Sequence, residues 1–367
     1  MHRTAPIPHL FKDRNLCGHE RSYRANGKAF LNYPIGIHSL LQTANFYFCL
    51  LIAGLRLNMR WNMKRSLVIT TPTFILILGL FTSNLLALEY TFTSIDFPGS
   101  TDTWALDINN NGQIVGYYRY LYSDIEARQN GFLLSGGIFS PIEYSRNTVA
   151  FGINDKDQIV GHYSTDGTGA HAFLLSGGSF TPILREFMSG AHGINNEGQI
   201  VGSYYNGVLH GFLSPGGGYT TIDFPNSSGT DPFDINNKGQ VVGYAFYSGI
   251  CGFLFSEGTY SLISFPGAGE TGAYGINDKG QIVGFSSGPT GTYGFMVSDG
   301  IFTTIDFPGS SRTFAFGINN QGQIVGVYEN ANGYHGFLAN PIPEPPTMLL
   351  LGTGLVWVVG LRKKLNK

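Results

Sequence analysis

The feature that most constrains the fold is one motif, close to Gly-Ile-Asn-Asn-x-Gly-Gln-Ile-Val-Gly-x-Tyr, which recurs six times along the chain. Its first isoleucines are Ile108, Ile153, Ile194, Ile235, Ile276 and Ile318, which lie 45, 41, 41, 41 and 42 residues apart. A tandem unit of about 40 residues that is rich in strand-forming residues is typical of a β-propeller, in which each repeat forms one blade. The sequence therefore predicts an all-β repeat domain over residues 88–340.

Each repeat contains four strand-like segments separated by turn residues. In the sixth copy the segments are 301–307, 314–319, 323–328 and 334–339. Two-residue turns such as Gly136-Gly137 and Asp299-Gly300 join neighbouring segments. Such pairs favour tight hairpins, because the primed turns need positive φ.

The two ends of the array predict how a ring would close. The first strand, Tyr90 to Phe97, precedes the first full repeat, while the last repeat, 314–339, lacks its outer strand. Pairing these strands would close the ring and hide sheet edges that promote aggregation. We therefore predict a six-bladed β-propeller closed by pairing of its N- and C-terminal strands, together with an N-terminal signal helix and a C-terminal transmembrane helix.

Charge is distributed unevenly along the chain. Residues 88–340 carry eight Lys or Arg against 21 Asp or Glu, a balance of −13. Such a surface repels phosphate backbones, so we expect no nucleic-acid partner. Cys251 is the single cysteine of the array, so no disulfide forms within it, although an oxidising compartment is permitted.

Residues 63–87 have the layout of a secretory signal peptide. A basic start at Met63-Lys64-Arg65 precedes an apolar stretch that ends in small residues near Ala87. An uncleaved membrane anchor is the alternative, although Thr71, Pro72 and Thr73 dilute the apolar run. Residues 1–62 are basic and unlike the repeats. We interpret them as an over-extended gene prediction upstream of a true start at Met63, or as a disordered segment.

Residues 341–367 have three parts: a proline-rich spacer, the apolar stretch MLLLGTGLVWVVGL, and the basic cluster Arg362-Lys363-Lys364. At about 1.5 Å per residue the apolar part spans roughly 23 Å as a helix, and snorkelling basic side chains extend it toward a ~30 Å bilayer core. This pattern predicts a transmembrane helix with its cationic end in the cytoplasm.

The same three-part tail, with Pro343, Glu344 and Pro345 at its start, resembles the PEP-CTERM sorting signal of Gram-negative bacteria. The resemblance implies recognition by a membrane protease-transpeptidase called exosortase. It also implies transient anchoring in the inner membrane, followed by delivery to the cell surface or the extracellular matrix.

The sequence of the repeated motif resembles the HAF family of extracellular repeats. His171-Ala172-Phe173 is the triplet for which that family is named, and His-Gly-Phe-Leu stands at 210–213 and 335–338. The resemblance covers all six copies but implies no chemistry, so it assigns no functional residue.

Two acids break the repeat symmetry. The residue before the motif isoleucine is Gly in four repeats but Asp107 in the first and Asp234 in the fourth. In a ring of six, these repeats lie opposite each other. The pair is a candidate for acid–base or metal chemistry, but the channel of a propeller favours a separation wider than the about 10 Å of a glycosidase pair. Two acids tolerated at a wet inner strand are the simpler interpretation.

Four tyrosines repeat at one position, two residues after the Ile-Val-Gly glycine: Tyr118, Tyr163, Tyr204 and Tyr328. Repeated aromatic rings can stack on sugars, but packing between blades needs the same residues, and we favour packing. The asparagine after each motif isoleucine is better explained by hydrogen bonds within its own turn than by a ligand ring.

No nucleophile elbow, phosphate loop or paired cysteine is present in the sequence, and we assign no catalytic residue, cofactor or metal. We expect an exported, surface- or matrix-sorted binding or structural module, with extracellular polysaccharide as the candidate ligand. The alternatives are a polysaccharide-active enzyme that uses Asp107 and Asp234, and a spacer without a ligand.

Overall fold

The computed structural model describes residues 89–123, 126–145, 147–165, 169–184, 188–215, 218–247 and 249–342. These residues form 24 β-strands and no helix. The motif isoleucine ends the first strand of each repeat, the Asn-Asn-x-Gly turn follows, and the Ile-Val-Gly segment begins the second strand. The fold is therefore all-β and propeller-like, as the period predicts.

Four of the sheets are separate four-stranded blades of consecutive or terminal strands. Their strands are β10 (Met188–Ile194), β11 (Ile200–Tyr205), β12 (Leu209–Ser214) and β13 (Thr220–Thr221); β14 (Thr230–Ile235), β15 (Val241–Phe246), β16 (Ile250–Ser256) and β17 (Thr259–Ile263); β18 (Glu270–Ile276), β19 (Ile282–Gly288), β20 (Gly291–Ser298) and β21 (Ile301–Ile305); and β22 (Arg312–Ile318), β23 (Ile324–Asn330), β24 (Gly333–Pro341) and β1 (Tyr90–Ile95).

The first two repeats form one eight-stranded sheet instead of two blades. Its strands are β2 (Asp102–Ile108), β3 (Ile114–Ser123), β4 (Glu126–Ser135), β5 (Ile138–Ile142), β6 (Asn147–Ile153), β7 (Ile159–Thr165), β8 (Gly169–Ser176) and β9 (Ser179–Ile183). The two halves join where Gln129 of β4 pairs with Asn147 of β6 in parallel.

The prediction of six separate blades is therefore wrong: the structure has four four-stranded blades and one eight-stranded sheet. The two halves are joined by the part of β4 that has no β5 partner. β4 has 10 residues but β5 has five, so the N-terminal half of β4 extends past its β5 partner and offers a free edge to β6. The predicted signal helix (63–87) and transmembrane helix lie outside the described residues, as does segment 1–62. Across the described residues we find no helix with the length and hydropathy that a membrane span requires.

The N-terminal strand pairs with the C-terminal strand, as predicted. β1 runs antiparallel to β24, from Tyr90 opposite Pro341 to Ile95 opposite Gly336. Nδ1 of His335 lies 2.8 Å from Oδ1 of Asp96, which adds a side-chain contact to this junction. The ring is thus closed by residues from opposite ends of the array.

The core draws on all four strands of each repeat, and its largest fully buried side chains come from the third strand. The phenylalanine of its Gly-Phe or Ala-Phe pair is fully buried in all six repeats: Phe132, Phe173, Phe212, Phe253, Phe295 and Phe337. The Ile-Val-Gly glycine makes room for this ring. A Cβ at Gly326 would lie 2.0 Å from the Phe314 carbonyl oxygen and 2.8 Å from Cε1 of Phe337.

Candidate functional site: the central channel

The channel is lined by the first strand of each repeat and by the turn that follows it. The first asparagine of each turn is buried and uses its side chain fully, as Asn195 shows. Its Oδ1 accepts hydrogen bonds from the N–H groups of Glu197 (3.1 Å) and Gln199 (2.9 Å). Its Nδ2 donates to Oε1 of Gln199 (2.7 Å) and to the carbonyl of Asn236 in the next repeat (3.1 Å).

This last bond recurs around the whole molecule and forms what we term the inner asparagine ring. Its members are Asn109, Asn154, Asn195, Asn236, Asn277 and Asn319. Each Nδ2 donates to the carbonyl of the next member at 2.9–3.2 Å, and Asn319 donates back to Asn109. The asparagines therefore hold their own turns, as the sequence indicates, and also tie each repeat to the next, which the sequence does not show.

The next residue of each turn forms a second closed ring, the mouth ring. Its members are Asn110, Asp155, Asn196, Asn237, Asp278 and Asn320. Each backbone N–H donates to Oδ1 of the following member at 2.8–2.9 Å. Burial alone would raise the pKa of Asp155, but hydrogen bonds from Asn110 and Asn196 hold it below its usual value, and Asp278 is held low in the same way by Asn320 and Asn237.

Asp107 and Asp234 lie deeper in the channel, and each bridges two adjacent repeats. Oδ1 of Asp107 accepts the N–H of Ile108 and Oδ2 accepts that of Ile153, both at 2.8 Å. Asp234 accepts the N–H groups of Ile235 (2.7 Å) and Ile276 (2.8 Å) in the same manner. Both oxygens of each carboxyl group are therefore engaged in joining neighbouring first strands.

The two carboxyl groups influence each other across the channel. Burial raises the pKa of Asp107 to about 6, against the effect of its two backbone hydrogen bonds. Burial, and then the charge of Asp107, raise the pKa of Asp234 well above its usual value. Two buried carboxyl groups that repel each other favour a state in which at least one is protonated.

The glycines that replace these acids in the other repeats are required by close packing around the channel. A Cβ at Gly193 would lie 2.7 Å from Cα of Asp234, and one at Gly317 would lie 2.7 Å from Cα of Asp107. Real Cβ atoms do not approach other atoms this closely. Each aspartate is thus accommodated by a neighbour that has no side chain.

Two small cavities meet at Asp107 and Asp234, which line both. The cavity toward the mouth ring has a volume of about 60 Å³ and a polar lining. The other has a volume of about 40 Å³ and is lined by Leu106, Phe151, His192, Phe233, Tyr274 and Phe316 in addition to the two acids. At roughly 10–15 Å³ per water molecule, the larger cavity holds about four waters. The acids therefore separate a polar compartment from a largely apolar one.

His192 is a polar residue in this otherwise apolar and aromatic set, and the sequence analysis missed it. Its Nδ1 lies 2.8 Å from the Pro232 carbonyl, so Nδ1 carries the proton, and 3.3 Å from Oδ1 of Asp231. Burial lowers the pKa of His192, but Asp231 and the Pro232 carbonyl outweigh that effect and the pKa is raised. Oδ2 of Asp231 accepts a hydrogen bond from the Tyr244 hydroxyl at 3.3 Å. Comparison of this position between repeats, which shows His192 once, is the signal that could have found it.

The four repeated tyrosines lie outside the channel, in packing positions. Tyr118 stacks on Phe97 (centroids 3.6 Å apart) and Tyr328 stacks on Phe307 (3.7 Å), with the rings nearly parallel. The hydroxyl of Tyr204 lies 3.1 Å from Oγ1 of Thr221, and Tyr163 meets Tyr144 edge to face. The stacked rings of Phe97 and Phe307 therefore cover faces of Tyr118 and Tyr328 that a sugar would need.

Among the described residues, no group of three or more His, Cys, Asp or Glu side chains is arranged to hold a metal ion. The side chains that do converge, in the channel, are bonded to backbone groups or to each other. These side chains hold neighbouring repeats together, and the raised pKa values of Asp107 and Asp234 allow their carboxyl groups to take up protons.

The remaining candidate site, the tail with Pro343, Glu344 and Pro345, lies outside the described residues, but comparison with known families identifies it. Residues 341–364 match the model of the PEP-CTERM protein-sorting motif. The chain carries a PEP-CTERM sorting signal. This signal marks an exported protein of Gram-negative bacteria that is processed by exosortase. The resemblance to HAF repeats rests on the repeated motif alone, so membership of that family stays a prediction.

No curated protein matched the sequence. Among solved structures, the chain is similar to a streptogramin B lyase, with 12% identity over 69% of this chain and 98% of that one and a TM-score of 0.42. It is also similar to TolB from Acinetobacter baumannii (12% identity, 62% of this chain and 63% of that one, TM-score 0.45) and to a Trypanosoma rangeli sialidase (9% identity, 76% and 63%, TM-score 0.45). Similarity at this level supports no argument about activity.

Proposed function

We propose that this exported protein is a binding module of the cell surface or extracellular matrix, and that its ligand is a neutral extracellular polysaccharide. The observation that carries the proposal is the hydrogen bonding of the central channel. Two complete rings of hydrogen bonds and two half-buried acids line the place where a propeller-like fold would most readily form a central pocket, and their polar groups are already bonded within the chain. Recognition is then left to the outer faces of the ring.

The geometry favours binding over catalysis. A general acid and a general base must both reach the substrate. Asp107 and Asp234 are half-buried, use both carboxyl oxygens on backbone N–H groups, and border cavities of about 60 and 40 Å³. In the enzyme alternative, both acids are therefore already committed to hydrogen bonds that join neighbouring repeats.

Charge narrows the class of ligand. The repeat array carries a balance of −13, so polyanions are repelled at moderate ionic strength. Neutral polymers meet no such barrier.

The test uses protein produced in a Gram-negative host that has an exosortase and recovered from the surface or medium. It is applied to a glycan array and, in parallel, to a screen for polysaccharide hydrolysis with wild-type protein and the Asp107→Asn variant. Binding of neutral glycans without turnover supports the proposal. Turnover that Asp107→Asn abolishes would establish the enzyme instead, while neither binding nor turnover would indicate a spacer.

A further inference from the structure

One surface position differs between repeats in a way that marks two neighbours. It is the residue three after the Ile-Val-Gly glycine, near the end of the second strand. In chain order it is Arg119, Ser164, Tyr205, Phe246, Ser287 and Glu329. Aromatic residues occur there only in the third and fourth repeats, which are adjacent.

The two aromatic positions are connected through Leu209 and Gly229. The backbone N–H of Phe246 donates to the carbonyl of Gly229 at 2.9 Å. A Cβ at Gly229 would lie 3.1 Å from Cδ2 of Phe246 and 3.3 Å from Cβ of Leu209. Leu209 is the cross-strand partner of Tyr205. The absence of a side chain at Gly229 thus lets the third and fourth repeats present their apolar groups side by side.

Four large side chains of this surface are open to solvent. Tyr205 is 51% exposed, Val208 47%, Phe246 38% and Tyr247 44%. We define these four residues as the aromatic patch. It lies at the end of the sheets opposite the Asn-Asn-x-Gly turns, where the second strand turns into the third. The largest apolar patch on a monomeric protein covers about 300–600 Å² and is often functional.

We propose that the aromatic patch is the surface on which sugar rings of a neutral polysaccharide stack. This inference rests on the proposed function and adds its location. Tyrosine and phenylalanine offer flat apolar faces with little conformational freedom to lose, and the tyrosine hydroxyls add hydrogen-bonding groups at the rim. The acidic array disfavours anionic polymers at the same surface.

The size of the patch argues against a second copy of the chain as its occupant. Aromatic side chains bury about 150–250 Å² each, so the exposed parts of the three aromatic residues amount to roughly 270 Å², to which Val208 adds a smaller area. A stable dimer buries about 800 Å² per partner. A few sugar units laid across adjacent repeats match the smaller area better.

The experiment compares the exported protein with the double variant Tyr205→Ser/Phe246→Ser in native affinity gels that contain dextran, galactomannan or xyloglucan. Serine is chosen because Ser164 and Ser287 occupy the equivalent positions, so the variant should fold, as melting and circular dichroism will check. The matched control is Ile138→Ser/Ile301→Ser. Both isoleucines are 71% exposed, and they follow the tight turns at the other end of the sheets.

We expect at least one polymer to retard the wild type, and the affinity of the double variant to fall at least tenfold while the control binds normally. If the double variant binds as the wild type does, or the control loses as much, the patch is not the site although the proposed function stands. If no polymer retards the wild type, both proposals fail. A wild-type dimer that the double variant converts to a monomer would identify the patch as a self-association surface and overturn the inference.

Discussion

The side-chain amide of Asn319 donates a 3.2 Å hydrogen bond to the backbone carbonyl of Asn109, 210 residues earlier in the chain. This bond completes the inner asparagine ring, and the pairing of β1 with β24 completes the outermost contact of the same junction. The molecule is thus closed both at its axis and at its rim. Stability should depend on this closure as much as on any single sheet.

The closing strand should behave as part of the core. Ile95 is 6% exposed and packs with Phe132 and Val325, and Ile305 holds the equivalent place in an internal blade. We expect Ile95→Ala and Ile305→Ala each to lower the free energy of unfolding by about 2–5 kcal/mol, the usual range for such truncations. Urea unfolding of both variants will check this. A negligible effect of Ile95→Ala beside a large effect of Ile305→Ala would show that β1 frays independently.

Removing one member of the inner asparagine ring should destabilise the fold. Asn195→Ala deletes two accepted and two donated hydrogen bonds and leaves the Asn236 carbonyl without its amide donor. We expect a loss of about 2–4 kcal/mol in thermal or urea unfolding. Glu197→Ala, at the exposed third position of the same turn, is the control and should change stability by less than about 0.5 kcal/mol. Equal effects of the two would remove the structural role of the ring.

Asp107 and Asp234 should make the free energy of unfolding depend on pH. Asp107 titrates at about 6 in the folded protein and near 3.9 when unfolded, so the folded state holds the extra proton between those values. The stabilisation of the folded state by protonated Asp107 is fully present below about pH 4 and is lost as the pH rises through about 6.

The variant Asp107→Asn/Asp234→Asn cannot ionise at these positions. As the pH rises from 4 to 7.5, the free energy of unfolding of this variant should therefore rise relative to that of the wild type by on the order of 2 kcal/mol, measured by urea unfolding. His162, whose pKa burial lowers to about 4, titrates in both proteins and cancels in the difference. A difference between the proteins that stays constant with pH would contradict the prediction.

Glycine at the channel should resist substitution. A Cβ at Gly193 would lie 2.7 Å from Cα of Asp234 and 2.8 Å from the Phe233 carbonyl oxygen, so Gly193→Ala forces adjacent first strands apart. We expect a loss of about 1–3 kcal/mol in urea unfolding. Gly218→Ala is the control, because its Cβ would meet nothing within 4 Å. A Gly193→Ala variant as stable as the Gly218→Ala variant would show that the channel can widen freely.

The sorting signal predicts where the protein goes when the signal fails. Exosortase processing should remove the apolar tail, and Glu344→Ala should leave the unprocessed protein in the inner membrane. Cell fractionation with mass spectrometry for peptides containing Trp357 will check this. Wild-type protein recovered from the surface or medium with Trp357 still attached would contradict it.

Much of the fold could be predicted from patterns among residues that are close in sequence. The 41-residue spacing, the alternating strands and the Asn-Asn-x-Gly turns each depend on residues close in sequence, so the repeat architecture could be predicted from them. The pairing of β1 with β24 could also be predicted, since each strand otherwise lacks a partner in its own segment. The tail was recognisable because a sorting motif is a contiguous string of residues.

Only the tertiary structure decided how the repeats meet. The union of the first two repeats depends on a single bridge, Gln129 to Asn147, and on the length of β4 beyond β5. The coupling of Asp107 with Asp234 and the approach of Leu209 and Phe246 to Gly229 arise between repeats, from distances that no local pattern contains. The repeated sequence determines the strands and turns of each repeat, because these form through contacts between residues close in the chain. The channel and the outer surface depend on packing between repeats, where a single side chain can differ without changing the spacing of the repeats.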